Sequence, residues 1–308
     1  VVTAPVMSVL RKMFKNLIVA MRPKQWTKNF LIFAALIFAE RLFHYHDILL
    51  VLIAFIIFCF LSSSLYIIND LIDIEQDREH PKKRNRPFAS GKISKGTGII
   101  FSVVLALISL ITAFLTGKGH FFIIALTFFI LNLIYSFKLK RLPILDVLGL
   151  SLSFVLRAAA GGIIIKVFVS PWLIVCTFLL ALFMAIGKRR GEIILLEENH
   201  AKHRHVLSCY SIKLLDQMIS VSTSSILIAY SLYTFTSGKS VALMCTIPFV
   251  IYGIFRYLYL VYQENRGENP TSIFISDRPM QINIFCWLIA VLIIFYWKHI
   301  YTVISVKS

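Results

Sequence analysis

The residues best suited to chemistry lie in one stretch, from Asn69 to Gly91, which leaves an apolar run with spaced acids and then turns basic. Asp70, Asp73 and Asp77 stand at positions i, i+3 and i+7, so a helix that continues past Asn69 presents them on one face. Like charges at that spacing repel, which favours a cation between them. Mg²⁺ suits such a face, because it takes one or two carboxylates and completes its shell with water and substrate phosphate.

Basic residues follow these acids at once. Lys83, Arg84 and Arg86 stand between two prolines, and each side chain can meet phosphate oxygens, Arg through a planar fork of donors. Together the acids and bases predict a site that holds a metal and a phosphate group. The alternative is a solvated, charged loop between two membrane helices, in which none of these residues has a catalytic role.

The composition predicts an all-α, polytopic membrane protein. Of the 308 residues 58% are hydrophobic and only 15% are charged, and several apolar runs reach the roughly 20 residues that cross a bilayer. The whole chain, 1–308, is interpreted as one integral membrane domain with a basic amphipathic lead over 1–25. We predict about nine spans, near 26–40, 47–69, 98–117, 120–137, 143–165, 171–187, 214–236, 241–262 and 280–303.

The net charge of +17 does not call for a nucleic-acid partner, because membrane proteins collect bases on their cytoplasmic loops. With nine spans, 24 of the 32 lysines and arginines fall on one side, 6 on the other and 2 within spans. By the positive-inside rule the richer side is cytoplasmic. We therefore expect a cell-membrane protein whose N-terminus and active-site loops face the cytoplasm.

The first span opens with R-P-K-Q-W-T-K-N, from Arg22 to Asn29. Lys24 and Lys28 lie one turn apart, and Asn29 falls at membrane depth, where its amide needs a partner. These three are candidate substrate-binding residues. The alternative is a plain interface anchor, of which Trp26 between lysines is typical.

Further polar residues gather at the fifth span and the inner loops. Asp146 and Arg157 share one face of the fifth helix, and an arginine inside a membrane faces either a salt-bridge partner or a cavity, here one for an anionic lipid headgroup. The second inner loop, Y-S-F-K-L-K, brings Tyr135 and Lys140 to the same surface as Asp146. The third begins K-R-R-G-E at Lys188, which is typical either of a positive-inside signal or of an anion site.

Taken together, N-D-x-x-D-x-x-x-D after the second span and R-P-x-x-S-G behind it resemble the UbiA superfamily of intramembrane prenyltransferases. Most members carry a second Asp-rich motif after the sixth span, where this chain has K-R-R-G-E. With K-R-R-G-E at that place, the chain resembles one branch of the superfamily, the decaprenyl-phosphate phosphoribosyltransferases. R-P-K-Q-W-x-K-N, Y-S-x-x-L-K, L-R-A-x-A-G-G and F-R-Y-L-Y-L match the same branch, from about Arg22 to Arg278.

The resemblance implies an Mg²⁺-dependent enzyme that transfers 5-phosphoribose from 5-phosphoribosyl diphosphate (PRPP) to a polyprenyl phosphate and releases pyrophosphate. The enzyme would be surrounded by membrane lipids, and the resemblance does not decide whether it forms a homo-oligomer. The implied metal ligands are Asp73 and Asp77, with Asn69 and Asp70 nearby. The implied phosphate-binding residues are Lys83, Arg84, Arg86, Lys188 and Arg189, and Tyr135 and Lys140 would orient the sugar or its leaving group.

Two other functions compete with this one. An ordinary UbiA-type enzyme would transfer a prenyl chain from a prenyl diphosphate to an aromatic or polar acceptor, but the second Asp-rich motif is missing. A transporter or flippase for polyprenyl-phosphate lipids belongs to a different class. Secondary transporters place substrate near the midplane between interrupted helices, whereas the charges here crowd one face.

Overall fold

The computed structural model describes residues 4–79, 83–199, 205–264, 266–267 and 270–305. Within those ranges the chain is helical and has no β-strand. The α-helices are α1 (Ala4–Met21), α2 (Ala34–Phe38), α3 (Tyr45–Ile72), α4 (Ile74–Glu79), α5 (Lys95–Leu115), α6 (Gly119–Phe137), α7 (Leu145–Ile164), α8 (Pro171–Asn199), α9 (Ile212–Thr236), α10 (Ile247–Tyr262), α11 (Pro270–Ser276) and α12 (Arg278–Ser305). The predicted all-α fold is confirmed.

Over the described part of the chain, eight helical segments are long and apolar enough to cross a membrane. They comprise all or most of α3, α5, α6, α7, α8, α9, α10 and α12. Their apolar side chains are widely exposed, as expected of helices that face lipid. The protein is therefore a multi-pass membrane protein.

The predicted span over 26–40 has a different form from the other eight. It consists of a 3₁₀ helix, Pro23–Phe33, followed by the five-residue α2. Pro23 has no N–H and cannot continue α1, and Arg22 before it takes a left-handed φ of 53°. At about 2.0 Å per 3₁₀ residue and about 1.5 Å per α residue, the two pieces reach about 30 Å, close to the thickness of the hydrocarbon core.

The chain forms two compact units, and its assignment to a single membrane domain stays a prediction. The first unit comprises Val1–Lys138 and Leu156–Phe168. Its core is built around α3, where the ring of Phe58 lies 4.9 Å from that of Phe128 and 6.2 Å from that of Phe121. The 3₁₀ helix Pro23–Phe33 packs on α3 and delivers the predicted Lys28 and Asn29 to the interior of this unit.

The second unit comprises Leu139–Val155 and Val169–Ser308. Its core is centred on Phe183 and Tyr257, whose ring centroids lie 4.9 Å apart. Gly187 in α8 permits a close approach, because a Cβ there would lie 2.9 Å from the Tyr257 hydroxyl. This packing fixes the part of α8 that carries Lys188 and Arg189.

Candidate active site

The predicted row of acids lies where α3 passes into α4. Asp73 interrupts the helix, but its N–H still donates to the Asn69 carbonyl at 3.0 Å, and the Asp77 N–H donates to the Asp73 carbonyl at 2.8 Å. Because the helical path is nearly continuous, the spacing of the three acids is kept. Asp70, Asp73 and Asp77 are all buried, with exposed fractions of 2%, 5% and 4%.

Two arginines neutralise part of this row. The carboxylate of Asp70 accepts hydrogen bonds from Arg22 and, at 3.0 Å, from Arg86. The same Arg86 nitrogen, Nη1, donates to Asp77 at 2.6 Å. We call Arg22, Asp70, Asp77 and Arg86 the acid–arginine cluster. Within it Asp70, a predicted metal ligand, acts as the counter-ion of two guanidinium groups.

Asp73 and Asp77 still suit a divalent ion, although Asp77 also bonds Arg86. No group of three or more His, Cys, Asp or Glu side chains in the described ranges is placed to hold a metal. Mg²⁺ does not need one, since it commonly binds one or two carboxylates and takes its other oxygens from water and substrate phosphate. Asp73 and Asp77, buried and one turn apart, provide that donor set.

The bases predicted beside the acids are more open to solvent. Lys83 and Arg84 lie in a short 3₁₀ turn, Lys83–Asn85, where Lys83 is half-buried and Arg84 is exposed. Asn69 is half-buried on α3, and Tyr135 is half-buried near the end of α6. The structure thus places Lys83 and Arg84 on the same turn as Arg86, where a phosphate group can reach them.

The segment from Arg22 to Asn29 is held by polar contacts deep in the first unit. The indole N–H of Trp26 donates to the Ser63 hydroxyl at 3.0 Å, and that hydroxyl bonds the Met21 carbonyl at the end of α1. Trp26 is therefore more than an interface anchor. Asn29 is completely buried, and its side-chain oxygen accepts from Arg157 Nε at 2.7 Å.

Arg157 is buried as well, and its guanidinium lies 4.6 Å from the centre of the Phe128 ring. Lys28 is half-buried and close enough to Arg157 and Arg22 to experience their positive charges. Lys24, one turn earlier, is exposed. Arg22 is paired with Asp70, so Lys28 and Arg157 are the two cations of this region that favour the binding of an anion.

A second charged network lies in the second unit. Arg189 is 1% exposed, and its Nε donates to Asp146 at 2.6 Å while its Nη1 donates to Glu192 at 2.5 Å. Asp146 is fully buried and also accepts a hydrogen bond from the Tyr210 hydroxyl at 2.6 Å. Arg189, predicted to bind phosphate, is thus enclosed by two carboxylates. Its neighbour Lys188 is more open and lies 3.6 Å from Glu192.

Tyr210 is a residue that the sequence analysis did not single out. Its hydroxyl donates to Asp146 and accepts the N–H of Ile144 at 2.6 Å, and Ile144 has an unfavourable φ of 69° for a β-branched residue. Burial and the bond to Asp146 raise the pKa of Tyr210, so its proton stays in place at neutral pH. Tyr210 therefore fixes the turn at the start of α7, just after the buried Lys140.

An ion pair that the sequence left uninterpreted joins α10 to the residue just before α12. Arg256 makes two hydrogen bonds to Asp277, at 2.8 and 3.2 Å, and these lower the pKa of the Asp277 carboxyl. In the same unit, Arg190 donates to Asp216 at 2.7 Å and lies 4.0 Å from the centre of the Tyr262 ring. The first pair links α10 to the start of α12, and the second links α8 to α9.

Comparison with known proteins gives a consistent result. The UbiA prenyltransferase family matches over residues 30–278. The chain is 34% identical over 290 residues to the decaprenyl-phosphate phosphoribosyltransferase of Corynebacterium glutamicum, covering 91% of this chain and 87% of that protein. It is 33% identical over 294 residues to the protein of that name from Mycolicibacterium smegmatis, covering 90% and 92%.

Among solved structures, the fold is similar to a UbiA homologue from Archaeoglobus fulgidus that was determined with GPP and Mg²⁺ bound. The TM-score is 0.68, with 21% identity, over 91% of this chain and 99% of the other.

Proposed function

The chain belongs to the UbiA prenyltransferase family, and on that premise we propose that it transfers 5-phosphoribose from PRPP to a polyprenyl phosphate and releases pyrophosphate. The observation that carries the proposal is the near full-length similarity to two proteins named decaprenyl-phosphate phosphoribosyltransferase. The basic K-R-R-G-E segment supports it, because PRPP brings a 5-phosphate in addition to its diphosphate and so calls for more bases than a prenyl diphosphate does.

The donor's diphosphate is assigned to the α3–α4 junction. Asp73 and Asp77 would hold Mg²⁺, which when bound neutralises charge on the departing pyrophosphate. Arg86, Lys83 and Arg84 follow directly in the chain and offer donors to the same phosphate oxygens. Lys188 is assigned to a phosphate of the donor, since it is open to solvent and Arg189 beside it is occupied by carboxylates.

The acceptor phosphate is assigned to Lys28 and Arg157. Both are cationic, both lie inside the first unit, and Asn29 holds the Arg157 guanidinium in place. A phosphate acceptor is already anionic, so no general base is needed to activate it. Catalysis then consists of positioning the two substrates and stabilising the leaving group. Tyr135 and Lys140 are assigned to the orientation of the sugar.

We also propose a cytoplasmic active site with the N-terminus inside. The strong excess of lysine and arginine on one side of the predicted spans supports this orientation. PRPP is water-soluble and carries several charges, so its binding residues must open to water. The polyprenyl tail of the acceptor enters from the bilayer.

The direct test measures pyrophosphate release by the purified full chain in lipid nanodiscs. We expect release only when PRPP, a polyprenyl phosphate and Mg²⁺ are all present. Asp73→Asn should nearly abolish it, because the metal loses a ligand. The matched control is Glu75→Gln, which removes an exposed carboxylate from the same junction and should leave the rate unchanged.

Two outcomes would overturn the proposal. Consumption of a prenyl diphosphate with an aromatic acceptor, and none of PRPP, would identify an ordinary prenyltransferase. Movement of polyprenyl phosphate between leaflets without release of pyrophosphate would identify a transporter.

A further inference from the structure

We propose that Arg86 competes with the divalent cation for Asp77, and that the substrate's phosphate takes over Arg86 when the metal arrives. The metal and the phosphorylated substrate would then bind as one event. This inference rests on the proposed function, because it requires a site for both. It assigns Arg86 a second role in addition to phosphate binding.

The geometry places one guanidinium nitrogen between two buried carboxylates. Arg86 Nη1 lies 2.6 Å from Asp77 Oδ2 and 3.0 Å from Asp70 Oδ1. In the described ranges, Arg86 is the only side chain paired with Asp77. A divalent cation bound to Asp77 competes with this contact, since the metal and the guanidinium would share one carboxylate and repel each other.

Asp70 and Asp77 differ in the positive charge that remains beside them when Arg86 leaves. Asp70 is also bonded by Arg22, so its charge stays compensated. Asp77 would become a buried carboxylate with no counter-charge, which is strongly unfavourable. Arg86 should therefore leave Asp77 only when another cation replaces it, and Asp70 acts as a positioning residue for the two arginines, not as a metal ligand.

The local backbone allows this exchange through a side-chain movement alone. The Arg86 N–H donates to the Lys83 carbonyl at 2.9 Å, and the Ser90 N–H and hydroxyl both donate to the Arg86 carbonyl, at 2.9 and 2.8 Å. The turn is thus fixed, whereas about a quarter of the Arg86 side chain is exposed. Lys83 and Arg84, on the 3₁₀ turn just before Arg86, would offer a phosphate further donors.

The consequence is a reciprocal coupling between metal and substrate. A substrate phosphate that binds Arg86 removes the competitor of the metal, so it raises the affinity for the metal. By thermodynamic linkage the metal raises the affinity for that substrate by the same factor. Without substrate, Arg86 should keep the affinity of Asp77 for a divalent ion low.

The test measures Mn²⁺ binding to the full chain in nanodiscs without substrate, from the electron paramagnetic resonance signal of free Mn²⁺. An adjacent arginine lowers a carboxylate's affinity for a proton by roughly 10- to 1000-fold. We therefore expect Arg86→Gln to bind Mn²⁺ about tenfold tighter or more. Arg78→Gln is the matched control, because it removes the same charge from α4 beside an exposed Glu75, and it should change the affinity less than about twofold.

The gain must also depend on Asp77. In an Asp77→Asn background, adding Arg86→Gln should no longer change the Mn²⁺ affinity, whereas a gain that persists would show a long-range charge effect and contradict the exchange. Equal or weaker Mn²⁺ binding by folded Arg86→Gln would contradict it too. If Arg86→Gln does not fold, Arg86→Lys replaces it, with a smaller gain expected because an ammonium cannot bridge both carboxylates as well.

Failure of this inference can be told apart from failure of the proposed function. The Mn²⁺ comparison contains no PRPP, so its result concerns only the acid–arginine cluster. Absence of PRPP-dependent pyrophosphate release by the unmodified chain would instead overturn the proposed function.

Discussion

Replacing Gly161 by alanine should push apart the two helices that carry the candidate acceptor site, α7 and the 3₁₀ helix. Gly161 lies where α7 meets the 3₁₀ helix, and a Cβ there would be 2.0 Å from the carbonyl oxygen of Ile32 and 2.9 Å from its carbonyl carbon. Ile32 is fully buried, and its backbone cannot rotate away as a side chain could. Real Cβ atoms essentially never lie closer than 3.0 Å to another heavy atom. The alanine Cβ and the Ile32 oxygen must therefore move apart by about 1 Å, and the two helices with them.

That displacement reaches the residues assigned to substrate. Arg157 lies one turn before Gly161, and its 2.7 Å bond to Asn29 joins the same two elements. An added separation of about 1 Å takes this bond out of hydrogen-bonding range. Overpacking costs about 1–3 kcal/mol and a hydrogen bond to a charged group contributes about 1.5–3 kcal/mol, so we expect Gly161→Ala to lose about 3 kcal/mol of unfolding free energy.

Thermal unfolding followed by circular dichroism in detergent measures the loss. Gly96→Ala is the control, because a Cβ at Gly96 would meet no atom within 4 Å and alanine favours the helix. Gly161→Ala should also need more polyprenyl phosphate for half-maximal rate. Equal unfolding midpoints for the two variants would refute the reasoning, since they would show that α7 and the 3₁₀ helix accommodate the methyl group.

Four further predictions concern the donor, the second unit, the orientation and the stereochemistry. Lys188→Ala should raise the PRPP concentration for half-maximal rate and leave kcat little changed, because a contact that is equally strong in the ground and transition states affects only binding. Initial rates at varied PRPP measure both constants. Tyr210→Phe should lower stability by about 1–3 kcal/mol, seen as a lower unfolding midpoint, because a buried carboxylate and a backbone N–H each lose a partner. In a cysteine-free background, an impermeant reagent outside the cell should label Lys118→Cys and not Ser90→Cys; the reverse would overturn the assigned orientation. NMR of the product should show a β linkage at C1, because a single displacement of the α-diphosphate inverts that carbon; an α linkage would indicate a double displacement.

The amino-acid sequence was sufficient to predict the eight long apolar helices and the row of acids. Apolar runs report membrane spans directly, and the spacing of Asp70, Asp73 and Asp77 is kept because the helical path continues through Asp73. The form of the first span was not predicted. An apolar stretch has nearly the same pattern in a 3₁₀ as in an α-helix, and Pro23 alone marks where α1 ends.

Long-range partners could not be predicted at all. Arg86 was expected to meet phosphate, and its bonds to Asp70 and Asp77 depend on how the turn after α4 folds back. Tyr210 bonds Asp146 from 64 residues away, and no local pattern announces such a contact. Nothing in K-R-R-G-E distinguishes the enclosed Arg189 from the open Lys188, because only the surrounding helices decide which side chain is buried.

The anchoring of the 3₁₀ helix has a consequence for biosynthesis. Ribosomes deliver Trp26 and Asn29 early, yet Ser63 of α3 follows Trp26 by 37 residues and Arg157 of α7 follows Asn29 by 128 residues. The Asn29 amide can meet Cys59 and Ser62 once α3 is in place, but its bond to Arg157 forms only after α7 has been inserted. This early segment is thus completed in two stages, and a chain arrested before α7 would hold its candidate acceptor site unfinished.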